Sequence, residues 1–493
     1  MRRWVLVSML VLGGCFGPDV PLQQDEYAPA GPAGLPGQFI GPVPSFVEGG
    51  AQNVEAWWTG FRDPVLDRLV ARGLDANPEV LTAESRVRES RAVLRGARAG
   101  LRPTIDGSAE AGIEGSRETV QNEDGSETEL GGTASAFLGF DWNLDIFGGV
   151  ESAVRAAEAQ ARLREAERRD AALAVIAGIA RSYIELRGAQ RRLELADEAL
   201  DLQRRTLDTV RGRVESGLAS DLDLSRAEAA LAAVEAGREP IRTEIRRGLV
   251  ALAVLLGRSP GSLPSEVSEA GPLPTIRSGP GFGVPTDLVR QRPDLAAAEA
   301  ALLQATEEIG IAEAALYPRF TLPGQVGIDL TEIATGEMVT SVVGSLFLAI
   351  DAPLFDAGRR EAELEAAHGR AEQALLAYHG TLLDALEEVE FALEGHDGAR
   401  RQVTALERAV DASETAFNQA SALYRQGLAS FIEVLDAQRA LNDLRQQLAT
   451  SRTRTALEAV NLYEAIGLAP PLDAVEDRNR KAGDRPAGGR ASF

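Results

Sequence analysis

Histidine and cysteine, two common ligands of zinc, are rare in this sequence. The histidines are His368, His379 and His396, and Cys15 is the only cysteine. His368 and His379 are eleven residues apart, about three helical turns, so they can share a helix face but cannot bind one ion without ligands from another element. His396 falls on a heptad-spaced, mostly apolar seam. Packing is therefore the better interpretation for all three, and we expect no metal site.

Catalytic motifs are also missing from the sequence. It has no glycine-rich phosphate-binding loop ending in lysine and no nucleophile elbow, and a single cysteine cannot form an internal disulfide. We therefore expect no catalytic residue, no cofactor and no enzyme. Without a nucleotide site, the energy for any transport has to come from a partner protein.

The charge balance is strongly acidic. The chain has 51 basic and 74 acidic residues, a formal net charge of -23. Binding to nucleic acid requires clustered positive charge against the phosphates, so this class of partner is excluded. An acidic surface or an acidic, water-filled lumen fits the composition better.

The N-terminus has the pattern of an export signal. In MRRWVLVSMLVLGGC, two arginines precede an apolar run that is too short to cross a bilayer as a helix. The end of this run, Leu12-Gly13-Gly14-Cys15, resembles a bacterial lipobox, in which the cysteine becomes the lipidated first residue. The alternative is an ordinary signal that happens to end near a cysteine. Phe16, which is not an aspartate, favours transfer to the outer membrane in lipoproteins that resemble this one.

The rest of the chain is a tandem duplication of a unit of about 210 residues. Equivalent residues are separated by 215 positions near the start of each unit, by 208 in the middle and by 210 towards its end. The pairs that define these offsets are Asn77-Pro78 with Arg292-Pro293, Leu101-Arg102-Pro103 with Leu316-Tyr317-Pro318, Phe147 with Phe355, Gly217 with Gly427, and Gly257 with Gly467.

Each unit has the same order of elements. A helical pattern is followed by two segments that alternate with period two, which predicts strands, and then by two long helical runs. A polar connection joins the first two strands at residues 116–130 and contains an Asp-Gly turn signal. The predicted boundaries are a signal peptide at 1–14, a linker at 15–53, a first repeat at 54–270 with strands at about 103–116 and 131–147 and a hairpin at about 149–257, a second repeat at 271–470 with strands at about 318–330 and 341–355 and a hairpin at about 358–467, and a flexible tail at 471–493.

The long helical runs have heptad seams, which are typical of coiled coils. Each pair of runs is separated by the same turn, Gly-Leu-Ala-Ser, at 217–220 and at 427–430. A helix of the predicted length would extend over roughly 100 Å, so each turn is predicted to be the tip of a hairpin. Gly217 and Gly427 would end a helix in the left-handed conformation. The seams are Leu186, Leu193, Leu200, Leu207 and Val214, with Ala189, Ala196, Gln203 and Val210 between them, and His396, Val403, Val410, Phe417 and Tyr424 in the second unit.

This arrangement resembles the TolC-like outer-membrane channel family, and within it the lipoprotein branch that serves RND-type tripartite efflux pumps. The resemblance covers most of residues 54–470. Its most specific block closes the last hairpin. The matching residues are Trp57-Trp58, Phe61, Asp63-Pro64, Leu66 and Leu69; Asn77-Pro78; Arg292-Pro293-Asp294-Leu295 with Ala298-Glu299; and Tyr424, Gly427, Val434, Leu435, Asp436, Ala437 and Leu441.

The resemblance implies a mainly α fold with β strands. Three identical chains would each contribute four strands to a twelve-stranded transmembrane barrel, which a coiled-coil helical tunnel would continue into the periplasm. Open strands could not cross the lipid alone, because their unpaired backbone groups would face hydrocarbon. The implied partners are outer-membrane lipid, a periplasmic adaptor and an inner-membrane RND-type pump. The adaptor would contact the tips, at Gly217, Leu218, Ala219 and Ser220 and at Gly427, Leu428, Ala429 and Ser430.

In such a barrel one set of alternating residues faces lipid and the other faces the lumen. A soluble, half-buried sheet would show the same alternation and is the alternative. The lumen would be acidic and would favour cations. The expected lipid-facing residues are Ile105, Ile113, Trp142, Leu144, Leu346, Leu348 and Ile350, and the expected lumen residues are Asp106, Glu110, Glu114, Asp141, Asp145 and Asp351.

The resemblance also implies a periplasmic gate. Glu433 and Asp436 match acidic residues that guard the closed end, while Tyr424 and Asp223 match positions that tether neighbouring hairpins by a hydrogen bond. A solvated helix face is the alternative role for the acids. The well-studied member of the family has an arginine where this chain has Ala429, so we expect a different contact to hold the gate.

The predicted function is therefore a passive exit duct in the bacterial outer membrane, anchored through Cys15, for small molecules or metal ions. A type I protein secretion channel is the alternative with the same fold. A lipid-anchored periplasmic coiled-coil adaptor is the alternative from another class, although adaptors have one hairpin and small β domains, not two hairpins with membrane-length strands.

Overall fold

The computed structural model describes residues 39–44, 54–119, 126–263, 265–276, 291–332 and 337–469. Cys15, the predicted signal peptide, most of the linker and the tail lie outside these residues. The chain forms two compact units. The β unit comprises the described parts of Arg88–Arg162 and Glu299–Ala377; the helical unit comprises those of Ala30–Val87, Leu163–Ala298 and Tyr378–Phe493. Among the described helices, none is long and apolar enough to cross a membrane.

The first helical pattern is divided in two by Asn77. Helix α1 spans Pro64–Ala76 and α2 spans Pro78–Ala99, and Asn77 between them is extended, with φ -68° and ψ 128°. A residue before proline is disfavoured from helical angles, and proline is well suited to the first position of the next helix. The sequence pattern did not reveal this break, because the apolar spacing continues across it.

Asp63 fixes the start of α1 and also reaches the core. Its Oδ1 accepts hydrogen bonds from the backbone N–H of Val65 at 2.8 Å and of Leu66 at 3.2 Å. Its Oδ2 accepts from the Tyr183 hydroxyl at 2.9 Å. Burial raises the pKa of Tyr183 to about 12, so Tyr183 remains a neutral donor. The Asp-Pro pair quoted from the sequence is thus a helix cap that also docks α1 on a long helix.

The β unit contains two antiparallel sheets. The strands are β1 (Thr104–Thr119), β2 (Ser126–Asp141), β3 (Asn143–Leu144), β4 (Arg319–Thr321), β5 (Gly324–Glu332), β6 (Met338–Leu346) and β7 (Ala349–Asp351). A four-stranded sheet has the order β1-β2-β5-β6, and a smaller sheet has the order β3-β4-β7.

Three of the four predicted strands are interrupted. The segment predicted as 131–147 pairs with β1 only as far as Asp141 and resumes in the other sheet at Asn143. The second repeat is interrupted in the same way, between β4 and β5 at Pro323 and between β6 and β7. Pro323 has no N–H to donate to a ladder. The predicted polar connection at 116–130 is shorter than expected, because β1 continues to Thr119 and β2 begins at Ser126.

Four long helices form two hairpins. Helix α3 spans Gly149–Glu215 and α4 spans Asp221–Leu255; α7 spans Arg359–Arg425 and α8 spans Phe431–Ile466. Each hairpin turns at a glycine with positive φ, 72° at Gly217 and 78° at Gly427. This is the left-handed backbone conformation that was predicted to end each helix, and glycine adopts it without a steric cost. Between the hairpins lie a short α5 (Ser265–Ser268) and α6 (Pro293–Ala314).

The helical unit is packed around Trp57. Trp57 is fully buried, and its ring stacks on that of Tyr463 at 5.4 Å between centroids. The surrounding core consists largely of Ile, Leu, Val and Ala from α1, α3, α7 and α8. Tryptophan therefore serves here as the anchor that joins the N-terminal segment to both hairpins.

Candidate functional site

The two hairpin tips have the same local structure. Leu218 and Leu428 are 67% and 72% exposed, and each follows the left-handed glycine directly. Ser220 and Ser430 then occupy the position before the returning helix, with extended backbone angles. Each turn therefore displays one leucine to solvent on a backbone held by caps on both sides.

Asp223 and Glu433 cap the returning helices. The N–H of Ser220 donates to Asp223 Oδ2 at 3.4 Å, and the N–H of Ser430 donates to Glu433 Oε2 at 3.2 Å. These are the third residues of their helices, where a carboxylate satisfies the backbone and interacts favourably with the helix dipole. Both residues thus have a local role that the sequence analysis did not assign to them. Asp436 is exposed on α8.

Tyr424 lies in a small apolar cluster between the hairpins. Its side chain is 8% exposed, and its ring lies 5.8 Å from that of Phe431. The cluster draws on all four long helices, so its burial holds the two hairpins together near their tips. Its buried members are Leu207, Val210, Ala227, Ala230, Tyr424, Phe431, Val434 and Leu435.

Arg213 covers the Tyr424 ring from the other hairpin. Its guanidinium carbon lies 4.7 Å from the ring centroid, which is the geometry of a cation–π contact. Arg213 Nη1 also donates to the backbone oxygen of Arg425 at 3.5 Å. Arg213 was missed from sequence because an arginine four residues before a turn has many possible partners.

The hydroxyl of Tyr424 is buried and has no hydrogen-bond partner within the described part of the chain. The bond to Asp223 expected from the family is thus not formed between these residues of one chain. Burial raises the pKa of Tyr424, and the nearby charge of Asp223 raises it further while that of Arg213 lowers it. The hydroxyl therefore stays protonated and can donate to an acceptor.

A buried glutamine pair lies beside this cluster. Gln438 Nε2 on α8 donates to Gln203 Oε1 on α3 at 2.9 Å, and Gln203 Nε2 donates to the carbonyl of Ala227 at 3.3 Å. The two side chains are 1% and 2% exposed. Such a pair fixes the register of packed helices, because sliding would leave buried amides unpaired. The polar Gln203 on an otherwise apolar seam was its signal in the sequence.

The acidic residues of the strands fall into two groups. Strand register places Asp106 and Glu110 on one face of the larger sheet with Asp141, since directly opposed residues share a face. The same register adds Asp329, opposite Ser135, which the sequence analysis did not name. Glu114 pairs opposite Gly131 in β1, but its side chain lies outside the described residues. The other face carries Ile105, Ile113, Leu138, Val326, Ile328, Val342 and Leu346.

Asp145 and Asp351 do not belong to this face. Asp145 caps α3, accepting hydrogen bonds from the N–H of Val150 at 3.0 Å and of Glu151 at 2.7 Å. Asp351 lies on β7, in the smaller sheet, directly opposite Arg319. The alternation therefore does not continue from the larger sheet to these two residues, because the strand ends before Asp145 and the chain changes sheets before Asp351. Their place in the lumen stays a prediction.

Comparison with known proteins decides the family. The sequence matches the outer membrane efflux protein family over residues 69–258 and 284–468. The chain belongs to this family. It is 32% identical over 443 residues to nodulation protein T of Rhizobium leguminosarum bv. viciae, covering 87% of this chain and 89% of that one. It is 30% identical to the outer membrane protein OprJ of Pseudomonas aeruginosa, covering 85% and 87% of the two chains.

Solved structures of outer membrane efflux proteins have the same fold. The outer-membrane channel OprN superimposes with a TM-score of 0.78 at 28% identity, covering 88% of this chain and 97% of OprN. VceC of Vibrio cholerae gives 0.75 at 27% identity, covering 83% and 98%. The predictions of a TolC-like fold, of an exit duct for efflux and of an outer-membrane location are therefore confirmed. The family is one of channel proteins, which argues against the periplasmic adaptor.

The histidines of this outer membrane efflux protein are separated. His396 is 5% exposed, and burial, reinforced by Arg400, lowers its pKa. His379 is exposed on α7, and its ring is edge-on to that of Tyr378 with 6.1 Å between the centroids. Within the described residues, no group of three His, Cys, Asp or Glu side chains is arranged to hold a metal ion.

Proposed function

We propose that three copies of this chain form one efflux channel, closed at its periplasmic end by contacts around Tyr424. The observation that carries the proposal is the order of the larger sheet, β1-β2-β5-β6, which leaves β1 and β6 as edges. A sheet edge in hydrocarbon leaves backbone groups unpaired, at a cost of several kcal/mol per group. Pairing β6 of one copy with β1 of the next removes both edges of the larger sheet, and four strands from each of three copies give twelve.

The face with Asp106, Glu110, Asp141 and Asp329 lines the lumen in this proposal, and the apolar face contacts lipid. Carboxylates on that face attract cations and repel anions. Relatives in the family are named after different cargo. One is a cation efflux system protein, CusC of Escherichia coli, and another is a toluene efflux pump outer membrane protein, TtgI of Pseudomonas putida. We infer that this duct passes small molecules or metal ions that other components select.

Those components are a periplasmic adaptor and an inner-membrane RND-type pump, which supply selection and energy. The exposed Leu218 and Leu428 support adaptor docking at the tips, since exposed apolar side chains on a firmly capped turn suit a protein partner. Lipidation of Cys15 would anchor the N-terminus to the same membrane.

The gate in this proposal combines charge and packing. Glu433 and Asp436 surround the aperture with negative charge, and Asp223 does so from the first tip. With Ala429 in place of an arginine, the Arg213–Tyr424 contact takes over as the latch between hairpins, supported by the 4.7 Å separation of guanidinium and ring. Opening separates the hairpins when the adaptor binds the tips more tightly in the open state.

Purified protein in a planar bilayer tests the channel. We expect native mass spectrometry to give three copies, and reversal potentials in a KCl gradient to show preference for K⁺ over Cl⁻. Replacing Asp106, Glu110 and Asp329 by Asn, Gln and Asn should reduce this preference. Val342→Thr, on the apolar face, is the matched control and should not change it. Monomers without conductance would refute the trimeric channel, and an unchanged selectivity in the triple variant would refute the lumen assignment.

A further inference from the structure

Two large apolar side chains of the second repeat are almost fully exposed. Leu354 is 94% and Phe355 91% exposed, in the loop between β7 and α7. The loop is held in place, because the carboxylate of Asp356 accepts from the N–H of Gly358 at 3.1 Å and pairs with Arg360 at 2.8 Å. A fixed loop that displays a phenylalanine indicates a surface that another molecule covers.

The equivalent phenylalanine of the first repeat shows what such a residue contacts. Phe147, 208 positions earlier, is only partly exposed. Its ring stacks on that of Tyr317, with 4.7 Å between centroids and 14° between planes. It also lies 6.3 Å from the ring of Phe320. Tyr317 and Phe320 belong to the second repeat, so within one chain the phenylalanine of repeat one packs on the start of the strands of repeat two.

The duplication identifies the corresponding surface for Phe355. The offset of 215 that relates Pro318 to Pro103 relates Tyr317 to Arg102 and Phe320 to Ile105. Arg102 is exposed and Ile105 is 71% exposed. Phe355 belongs to the second repeat, so the surface that corresponds to it belongs to a first repeat. In a closed ring of copies, the first repeat of the next copy occupies that place.

We propose that Phe355 of each copy packs against Arg102 and Ile105 of the neighbouring copy, and so repeats between copies the Phe147–Tyr317 contact within the chain. Arginine is a suitable replacement for tyrosine here, because a guanidinium stacks on an aromatic face and keeps its charge in water at the rim. Ile105 takes the apolar position of Phe320. This inference rests on the proposed ring of three copies and names residues that join neighbouring copies.

Cross-linking of paired cysteines tests the contact in the full-length protein. Phe355→Cys combined with Arg102→Cys, treated with a short bifunctional thiosulfonate, should give dimer and trimer bands on denaturing gels. Phe147→Cys combined with Tyr317→Cys is the matched control and should cross-link within the chain, leaving a monomer band. Phe355→Cys combined with Tyr317→Cys should not link copies, and each single variant controls for Cys15.

Native mass spectrometry of the same samples separates the possible outcomes. A trimer whose Phe355→Cys/Arg102→Cys pair does not cross-link overturns the contact and leaves the channel proposal standing. Failure to form a trimer in the unmodified protein overturns the channel proposal itself. As a second measurement, Phe355→Ala should lower the temperature at which the trimer dissociates, whereas Val342→Ala on the apolar sheet face should not.

Discussion

Replacing Arg213 by Gln, which removes the charge above the Tyr424 ring, should open the proposed gate. Tyr424 is 8% exposed and Arg213 lies 4.7 Å above its ring, so this cation–π contact is partly desolvated and contributes about 1 kcal/mol. If three copies open together, the loss is about 3 kcal/mol, and the ratio of open to closed channels rises roughly 100-fold, because about 1.4 kcal/mol is a factor of ten. Arg213→Gln keeps helix propensity and removes the charge.

Single-channel recording in planar bilayers measures this ratio directly. Tyr424→Leu should open the channel as Arg213→Gln does, whereas Tyr424→Phe should stay closed, since the ring remains and the hydroxyl has no partner within the described chain. The double variant should be no more open than either single variant, because both remove one contact. Arg211→Gln is the matched control, an arginine on the same helix paired with Asp208 at 3.6 Å.

The reasoning is refuted if Tyr424→Phe opens the channel as far as Tyr424→Leu while Arg213→Gln leaves it closed. That result would assign the latch to the hydroxyl, and therefore to an acceptor on a neighbouring copy. The cation–π contact would then be a packing feature of the single chain.

Three further predictions concern the same helical unit. The double replacement of Glu433 and Asp436 by Ala should raise conductance. Glu433→Gln can still cap α8, so this variant tests the charge separately from the cap. Unchanged conductance in all these variants would exclude the acids from the gate. The pKa of His396 is lowered by burial, so as the pH falls the unfolded state binds a proton before the folded state does. Stability should therefore fall as the pH drops below about 6.5. His396→Leu should flatten this pH dependence of the melting temperature, and an unchanged slope would refute the role of His396. Replacing Gln203 alone by Leu should lower the free energy of unfolding by about 1–3 kcal/mol, because the buried side-chain N–H of Gln438 loses its acceptor. Leu at both positions should recover much of this loss in urea unfolding, and equal losses would contradict a pairwise bond.

The helical hairpins could be predicted from sequence almost to the residue. Heptad seams and left-handed glycines are local signals, and α3 ends at Glu215, one residue beyond the last seam position predicted. The strand interruptions could not be predicted in this way. Side chains continue to alternate across residue 142, so only the hydrogen-bond partners reveal that the chain has changed sheets. Pairing partners are set by distant segments, which a periodic pattern does not record.

The residues of the candidate site show the same difference between local and long-range signals. Tyr424 and the acids were found because they flank a recognisable turn. Arg213 was not, since its role depends on α7 lying beside α3, a contact between residues more than 200 positions apart. Asp145 was placed in a strand because its alternation with Asp141 fits one. The strand ends at Leu144, and the Asp145 carboxylate caps α3.

The duplication separates residues that serve folding from residues that serve assembly. Asp223 and Glu433 lie six positions after their tip glycines and cap their helices in the same way, so this carboxylate is needed by any such hairpin. Three positions later the repeats differ, with Arg226 paired to Asp223 at 3.7 Å in the first and an exposed Asp436 in the second. Folding of an isolated hairpin gives no reason for that difference. A ring in which the two kinds of tip occupy different places does give one, and it makes Asp436 the acid whose charge most directly distinguishes the second tip at the aperture.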